Sequence, residues 1–209
     1  MISRIVFDDV SLTFGEKTVF DKVSVELKAG RIISIVGANG SGKSTFLNLA
    51  GQFIKPTSGT VTAFDGDMSV ERIAFRKNIA AVTPIMALYS ELTAAENINF
   101  FVGLRDISLN DSNINALFER VGLSLNDKNK CISSFSTGMI QRLKFAILLA
   151  VQADVWLLDE PGSNLDDSGK RRFLKEIKQA ADDGKLILLA TNDKDEAEAG
   201  NEIISLPIG

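Results

Sequence analysis

Residues 32–44 read Ile32-Ile33-Ser34-Ile35-Val36-Gly37-Ala38-Asn39-Gly40-Ser41-Gly42-Lys43-Ser44. An apolar run passes into a glycine-rich turn that ends in lysine and serine, and a helical pattern begins at Lys43. Strand, glycine-rich loop and helix in that order form a phosphate-binding loop. Gly37, Gly40 and Gly42 let the backbone curl tightly and point several N–H groups inward. The start of the helix adds partial positive charge. Lys43 then reaches the β- and γ-phosphates of a nucleotide, and the Ser44 hydroxyl sits on Mg²⁺. Ala38, Asn39, Ser41 and Thr45 complete the expected nucleotide-contacting stretch.

Upstream, Ile5–Phe7, Val10–Phe14, Val19–Phe20 and Val23–Leu27 alternate like strands around the turn Gly15-Glu16-Lys17. They predict antiparallel β-structure beside the nucleotide core. Lys55–Gly59 is a further turn before a strand over Thr60–Phe64. From about Leu92 to Gly122 the period becomes helical, with Ala95, Ile98, Phe101 and Val102 on one face and Ile114, Leu117, Phe118 and Val121 on another. Thr93 and Glu96 form a capping box. Strand, helix and strand then return at Val155–Leu158, Lys170–Ala181 and Leu186–Ala190. The expected fold is α/β: a mostly parallel sheet with an N-terminal antiparallel β subdomain and an α-helical insertion.

Val155-Trp156-Leu157-Leu158-Asp159-Glu160 is an apolar strand that delivers two carboxylates to a sheet edge, where α/β folds bind ligands. Asp159 is placed to hold Mg²⁺, directly or through water. Glu160, one residue on, is the general-base candidate for a water attacking the γ-phosphate. Phe135-Ser136-Thr137-Gly138-Met139-Ile140-Gln141-Arg142 opens a long helix with Ser136 as N-cap. On its residues alone this segment reads as a capped helix as readily as an anion site.

Composition narrows the classes. The 209 residues carry a net charge of −4, a single cysteine and no histidine. That balance gives no basic footprint for nucleic acid. One cysteine excludes an internal disulfide framework, zinc chemistry is not expected with one cysteine and no histidine, and Cys131 reads as a partly buried apolar filler. No secretory signal or membrane-spanning run is visible, so action at a membrane is expected to run through a partner.

The motifs together resemble the ATP-binding cassette (ABC) ATPases, over nearly the whole chain. GANGSGKS looks like their Walker A loop, FSTGMIQR like their signature motif, and VWLLDEP like their Walker B strand with its catalytic glutamate. Ser163-Asn164-Leu165-Asp166 resembles the D-loop, and Phe14 sits where the family stacks an aromatic on adenine. The resemblance implies a phosphate-loop NTPase core in a single domain over 1–209, with a helical subdomain and signature helix over about 92–150. It implies ATP and Mg²⁺ as ligands and a head-to-tail homo- or heterodimer in which Ser136 and Gly138 contact ATP bound to the other subunit. It also implies a separate transmembrane permease subunit that would hold this cytoplasmic chain at the inner face of the membrane. Length and layout are most similar to the haem-export ATPases of cytochrome c maturation.

Three positions depart from the family pattern. The signature carries Phe135, Thr137 and Met139 in place of leucine, glycine and glutamine. The loop Thr83-Pro84-Ile85-Met86 replaces a glutamine-bearing one. Asn192, in Thr191-Asn192-Asp193, stands where the family has a histidine; it can donate a hydrogen bond to the γ-phosphate but cannot carry a proton. Persistent ATP binding with slowed hydrolysis is therefore expected, with Asn192 either acting on the phosphate or simply capping the helix after it. An ATPase subunit of a bacterial exporter is the leading expectation. The alternatives are a non-transport cassette acting as a nucleotide-switched binding module, and a weakly hydrolysing member of a heterodimer.

Overall fold

The computed structural model describes residues 1–206. In chain order the elements are β1 (Arg4–Phe14), β2 (Lys17–Lys28), β3 (Arg31–Val36), α1 (Lys43–Ala50), β4 (Ser58–Asp65), β5 (Met68–Val70), α2 (Arg72–Lys77) and β6 (Ile79–Val82). There follow α3 (Ala94–Gly103), α4 (Asp111–Val121), α5 (Thr137–Ala150), β7 (Val155–Asp159), α6 (Asp167–Asp182), β8 (Leu186–Ala190), α7 (Lys194–Glu198) and β9 (Glu202–Ser205). The chain forms two compact units. The first comprises Met1–Ala81, Ala153–Glu160 and the chain from Ile177 on, and the second Val82–Gln152 with Pro161–Glu176.

The first unit holds both sheets, in the orders β2-β1-β4-β5 and β6-β7-β8-β3-β9. The four strand-like runs near the N-terminus are two long strands, because the β1–β2 register shifts between Phe7 and Val10 rather than ending there. Asp9 takes up the irregularity at φ +47° and donates its N–H to Ser24 Oγ at 3.0 Å. In the second sheet β7 pairs with β8, β8 with β3, and β3 with β9, all parallel. Every residue of β7 and β8 is buried, as unbroken apolar runs in a covered parallel sheet require. Phe7 of the antiparallel sheet stacks on Phe46 of α1, with centroids 4.8 Å apart. Full burial of such a side chain contributes about 1.5–3 kcal/mol.

Register fixes where the site must form. Ile35 lies opposite Ala190, and Ala190 opposite Asp159. Parallel strands in step end together, so the segments after β3, β7 and β8 leave the sheet side by side at its carboxyl edge.

In the second unit α3 opens with the expected capping box: Thr93 N–H donates to Glu96 Oε2 at 2.8 Å, and Glu96 N–H returns to Thr93 Oγ1 at 3.2 Å. The buried face of α3 is Ala94, Asn97, Ile98 and Val102, not the expected set with Ala95 and Phe101. Asn97, fully buried, explains the rotation: its amide bonds the Tyr89 N–H and the carbonyls of Tyr89, Leu92 and Thr93. The face Ile114, Leu117, Phe118 and Val121 of α4 is buried as expected. Arg142 of α5 donates to the Val121 carbonyl at 2.8 Å, satisfying an end that α4 leaves open. Cys131 is exposed, with Sγ 3.5 Å from the Glu91 carbonyl, which corrects the reading of it as a part-buried filler.

Candidate active site

The phosphate loop folds as its glycines dictate. A Cβ on Gly37 would come within 2.6 Å of Ser41 Oγ and 2.8 Å of the Leu206 carbonyl, so no side chain fits there. Gly42 enters α1 at φ +102° with Val19 only 2.9 Å from where its Cβ would stand. That contact brings the β1–β2 hairpin against the loop. Phe14 lies at the hairpin's end, paired with Lys17 and 56% exposed, a free ring face of the kind a base stacks on. Ala38, Asn39 and Gly40 line the outer side of the curl and are exposed.

Lys43 turns back beneath the loop and is only 7% exposed. Its ammonium donates to the Gly37 carbonyl at 2.9 Å and to Asn192 Oδ1 at 2.8 Å, with Ala38 O at 3.4 Å and Glu160 Oε1 at 3.8 Å. Ser44 Oγ donates to Asp159 Oδ2 at 2.6 Å. The adjacent acids part company because Glu160 adopts φ +48°, a left-handed conformation that costs a non-glycine residue about 1–2 kcal/mol. Its N–H continues the sheet edge to the Ala190 carbonyl at 2.8 Å. Its carboxylate faces Lys43 and accepts from the Asn192 N–H at 3.4 Å. Asn192 Nδ2 in turn donates to Asn39 Oδ1 at 2.7 Å. The helix-capping role considered for Asn192 belongs to Asp193, whose Oδ1 accepts from Asp195 and Glu196. Asp193 is held in place through Thr191 Oγ1, itself bonded to the buried Glu196.

The structure thus brings Gly37–Ser44, Asp159, Glu160 and Asn192 together in the first unit. These residues fit a nucleotide and its metal. Ser41 Oγ is buried with no hydrogen-bond partner, and the outer face of Gly40 has no atom within 4 Å of a Cβ position. Among the described residues no three acids or other ligands cluster, so a metal at Ser44 and Asp159 would complete its shell with phosphate oxygens and water, as Mg²⁺ does.

Ser136 and Gly138 lie in the second unit, at the start of α5. Ser136 Oγ caps the helix, accepting from the Met139 N–H at 3.2 Å. A Cβ on Gly138 would stand 2.9 Å from the Asn164 carbonyl, in a loop where Asn164 itself is left-handed at φ +66°. Arg142 pairs with Asp166 of that loop, and Gln141 Nε2 donates to the Pro161 carbonyl at 2.6 Å. The Ser168 hydroxyl, the Gly169 N–H and Arg142 hold the Asp166 carboxyl below its ordinary range. Lys144, one turn on, is 7% exposed, and among the described residues its ammonium donates to the Thr83 carbonyl at 3.4 Å. Ile85 in that same loop is 91% exposed.

The sequence profile of the ABC transporter family matches residues 20–163, more than half of the chain. The chain belongs to the ABC transporter family. It is 30% identical over 99% of its length to the bacitracin transport ATP-binding protein BcrA of Enterococcus faecalis, and covers 67% of that protein. It is 31% identical to the probable multidrug ABC transporter ATP-binding protein YbhF of Escherichia coli over 91% of its own length, which is 33% of YbhF. It spans only about three fifths of several other relatives, 62% in the case of the linearmycin resistance ATP-binding protein LnrL of Bacillus subtilis. Among solved structures, the ABC transporter cassette MJ0796, solved as a dimer, matches with a TM-score of 0.83 and 26% identity over 97% of this chain and 94% of that one. An ABC transporter ATP-binding protein from Pyrococcus furiosus matches in fold, with a TM-score of 0.85 at 21% identity over 98% of each chain. The ABC ATPase fold expected from the sequence is therefore the fold of this chain.

Proposed function

We propose that this ABC family member is the ATP-binding and ATP-hydrolysing subunit of a bacterial exporter, and that it drives a separate membrane subunit by ATP-dependent closure of a dimer. The observation that carries this reading is the convergence of Lys43, Ser44, Asp159 and Glu160 at the carboxyl edge of the parallel sheet. Phe14 stacks on the adenine, the Gly37–Thr45 backbone cradles the phosphates, and Lys43 neutralises the β- and γ-phosphates. Ser44 and Asp159 hold Mg²⁺, which when bound screens phosphate charge. Glu160 takes the proton from the attacking water as general base. Asn192 donates to the γ-phosphate without supplying charge, so turnover is slow.

Ser136 and Gly138 act on ATP held by a second ABC subunit, in the manner of a dimeric cassette. Support for dimerisation comes from MJ0796, which has been solved as a dimer and in a post-hydrolysis state with ADP and Pi. The transport reading is supported by relatives named for bacitracin transport and for multidrug transport. No helix among the described residues is long and apolar enough to cross a membrane. In this reading a separate permease supplies the transport path and keeps the chain at the inner membrane face. The uncharged Asn192 also suits a weakly hydrolysing partner in a heterodimer.

Expression together with the products of the neighbouring reading frames, followed by solubilisation of the membranes, tests the transporter reading. Co-purification of the chain with a membrane protein from detergent, with ATPase activity, is the expected result. A chain that remains soluble and partnerless under those conditions would overturn it.

A further inference from the structure

The Asn192 side chain grips the phosphate loop at two points, Lys43 at 2.8 Å and Asn39 at 2.7 Å. Lys43 offers only donors, which fixes the amide with Oδ1 toward the ammonium and Nδ2 toward Asn39. An ammonium has three N–H groups, and three acceptors lie within hydrogen-bond distance of this one: Asn192 Oδ1, the Gly37 carbonyl at 2.9 Å and the Ala38 carbonyl at 3.4 Å, with Glu160 Oε1 beyond them at 3.8 Å. A phosphate oxygen that engages Lys43 must therefore displace one of them. The two carbonyls are part of the loop's own curl and move only if the cradle unwinds. Asn192 stands on a different loop, after β8, and its side chain is the acceptor that yields.

We propose that Asn192 is a specificity-determining residue, a displaceable latch on Lys43 that makes the site favour a nucleoside triphosphate over the matching diphosphate. This deepens the nucleotide-site reading above and rests on it. Any nucleotide whose phosphate takes Lys43 breaks the Lys43–Asn192 bond. A triphosphate brings a third phosphoryl group to which the released amide can donate. A diphosphate breaks the same bond and offers the amide nothing in return. An amide suits this role because it carries donor and acceptor on one planar group and stays uncharged at any working pH. Hydrogen bonds to a charged group are strong enough that their loss shifts binding by about tenfold or more.

Calorimetric titration of ADP and a non-hydrolysable ATP analogue into wild type, N192A and N192D, with Mg²⁺ present, tests the latch. Asn192 is exposed, so both variants keep the fold. N192A is expected to bind ADP about tenfold tighter than wild type, while the ATP analogue gains little, so the triphosphate preference narrows. N192D, which sets a carboxylate against Lys43, is expected to weaken ADP binding. Unchanged or weaker ADP binding by N192A, with the preference intact, overturns the latch while leaving the nucleotide site standing. Failure of wild type to bind either nucleotide overturns the site itself, and the latch with it.

Discussion

Ser44 Oγ donates to Asp159 Oδ2 across 2.6 Å, joining the first turn of α1 to the last residue of β7. The bond links residues 115 apart in sequence. A short O–H···O⁻ bond of this kind pre-orients both oxygens for a cation. Replacing Ser44 with Ala should leave nucleotide binding in EDTA nearly unchanged and reduce the gain on adding Mg²⁺ by about tenfold, an effect the size of one lost ligand bond. Parallel titrations with and without the metal measure it. Equal Mg²⁺ stimulation in wild type and S44A would contradict the assignment.

Gly138 has a structural duty separate from any contact in trans. A methyl group there would meet the Asn164 carbonyl at 2.9 Å, and backbone on both sides leaves little room to yield. G138A should therefore destabilise the isolated chain by about 1–3 kcal/mol, the usual cost of overpacking. Thermal unfolding of the purified monomer is the measurement, and an unchanged Tm would show that the 161–166 loop moves aside freely.

The capping box gives a pH dependence with a definite sign. The Thr93 N–H and hydroxyl hold the Glu96 carboxyl below its ordinary range. A carboxylate whose folded pKa is lowered adds stability above its unfolded value, near 4.3, and that stability is lost as pH falls through the folded pKa. E96Q should accordingly be less stable than wild type near neutrality, with the difference shrinking in acid. Denaturant midpoints at pH 7 and pH 3.5 decide it, and a constant difference would exclude the carboxylate as the source.

Lys144 buries an ammonium against the distant Thr83 carbonyl. Burial lowers its pKa, so the folded state disfavours the charged form and stability rises as pH increases through the range between folded and unfolded values. Met has a similar length and no charge to desolvate. K144M should match or exceed wild-type stability, by up to about 1–2 kcal/mol, and should flatten the alkaline rise. A clear loss of stability in denaturant melts would mean that the Thr83 bond outweighs the cost of burial.

What could be read in the chain follows from what is local. The phosphate loop, the apolar strand into Asp159 and Glu160, and the Thr93 and Ser136 caps are short-range patterns, and each folds as the pattern requires. The features that stayed hidden depend on distant partners. The rotation of α3 is set by Asn97 bonding the loop before it, which no apolar period reveals. The burial of Lys144 and the clearance at Gly138 arise from segments 61 and 26 residues away, Thr83 and Asn164 respectively. The grip of Asn192 on the phosphate loop is likewise non-local. Its partners Lys43 and Asn39 lie 149 and 153 residues away and meet it only because β3 and β8 pair in register.

The central claim is that ATP bound at Lys43 is hydrolysed with Glu160 as base. Phosphate release by wild type and E160Q, with the oligomeric state in ATP followed by light scattering, tests it most directly. The account predicts that E160Q loses about 10²–10⁴-fold in turnover, the worth of a positioned general base, and accumulates as an ATP-bound dimer that K43A does not form. Hydrolysis by E160Q at the wild-type rate would contradict it.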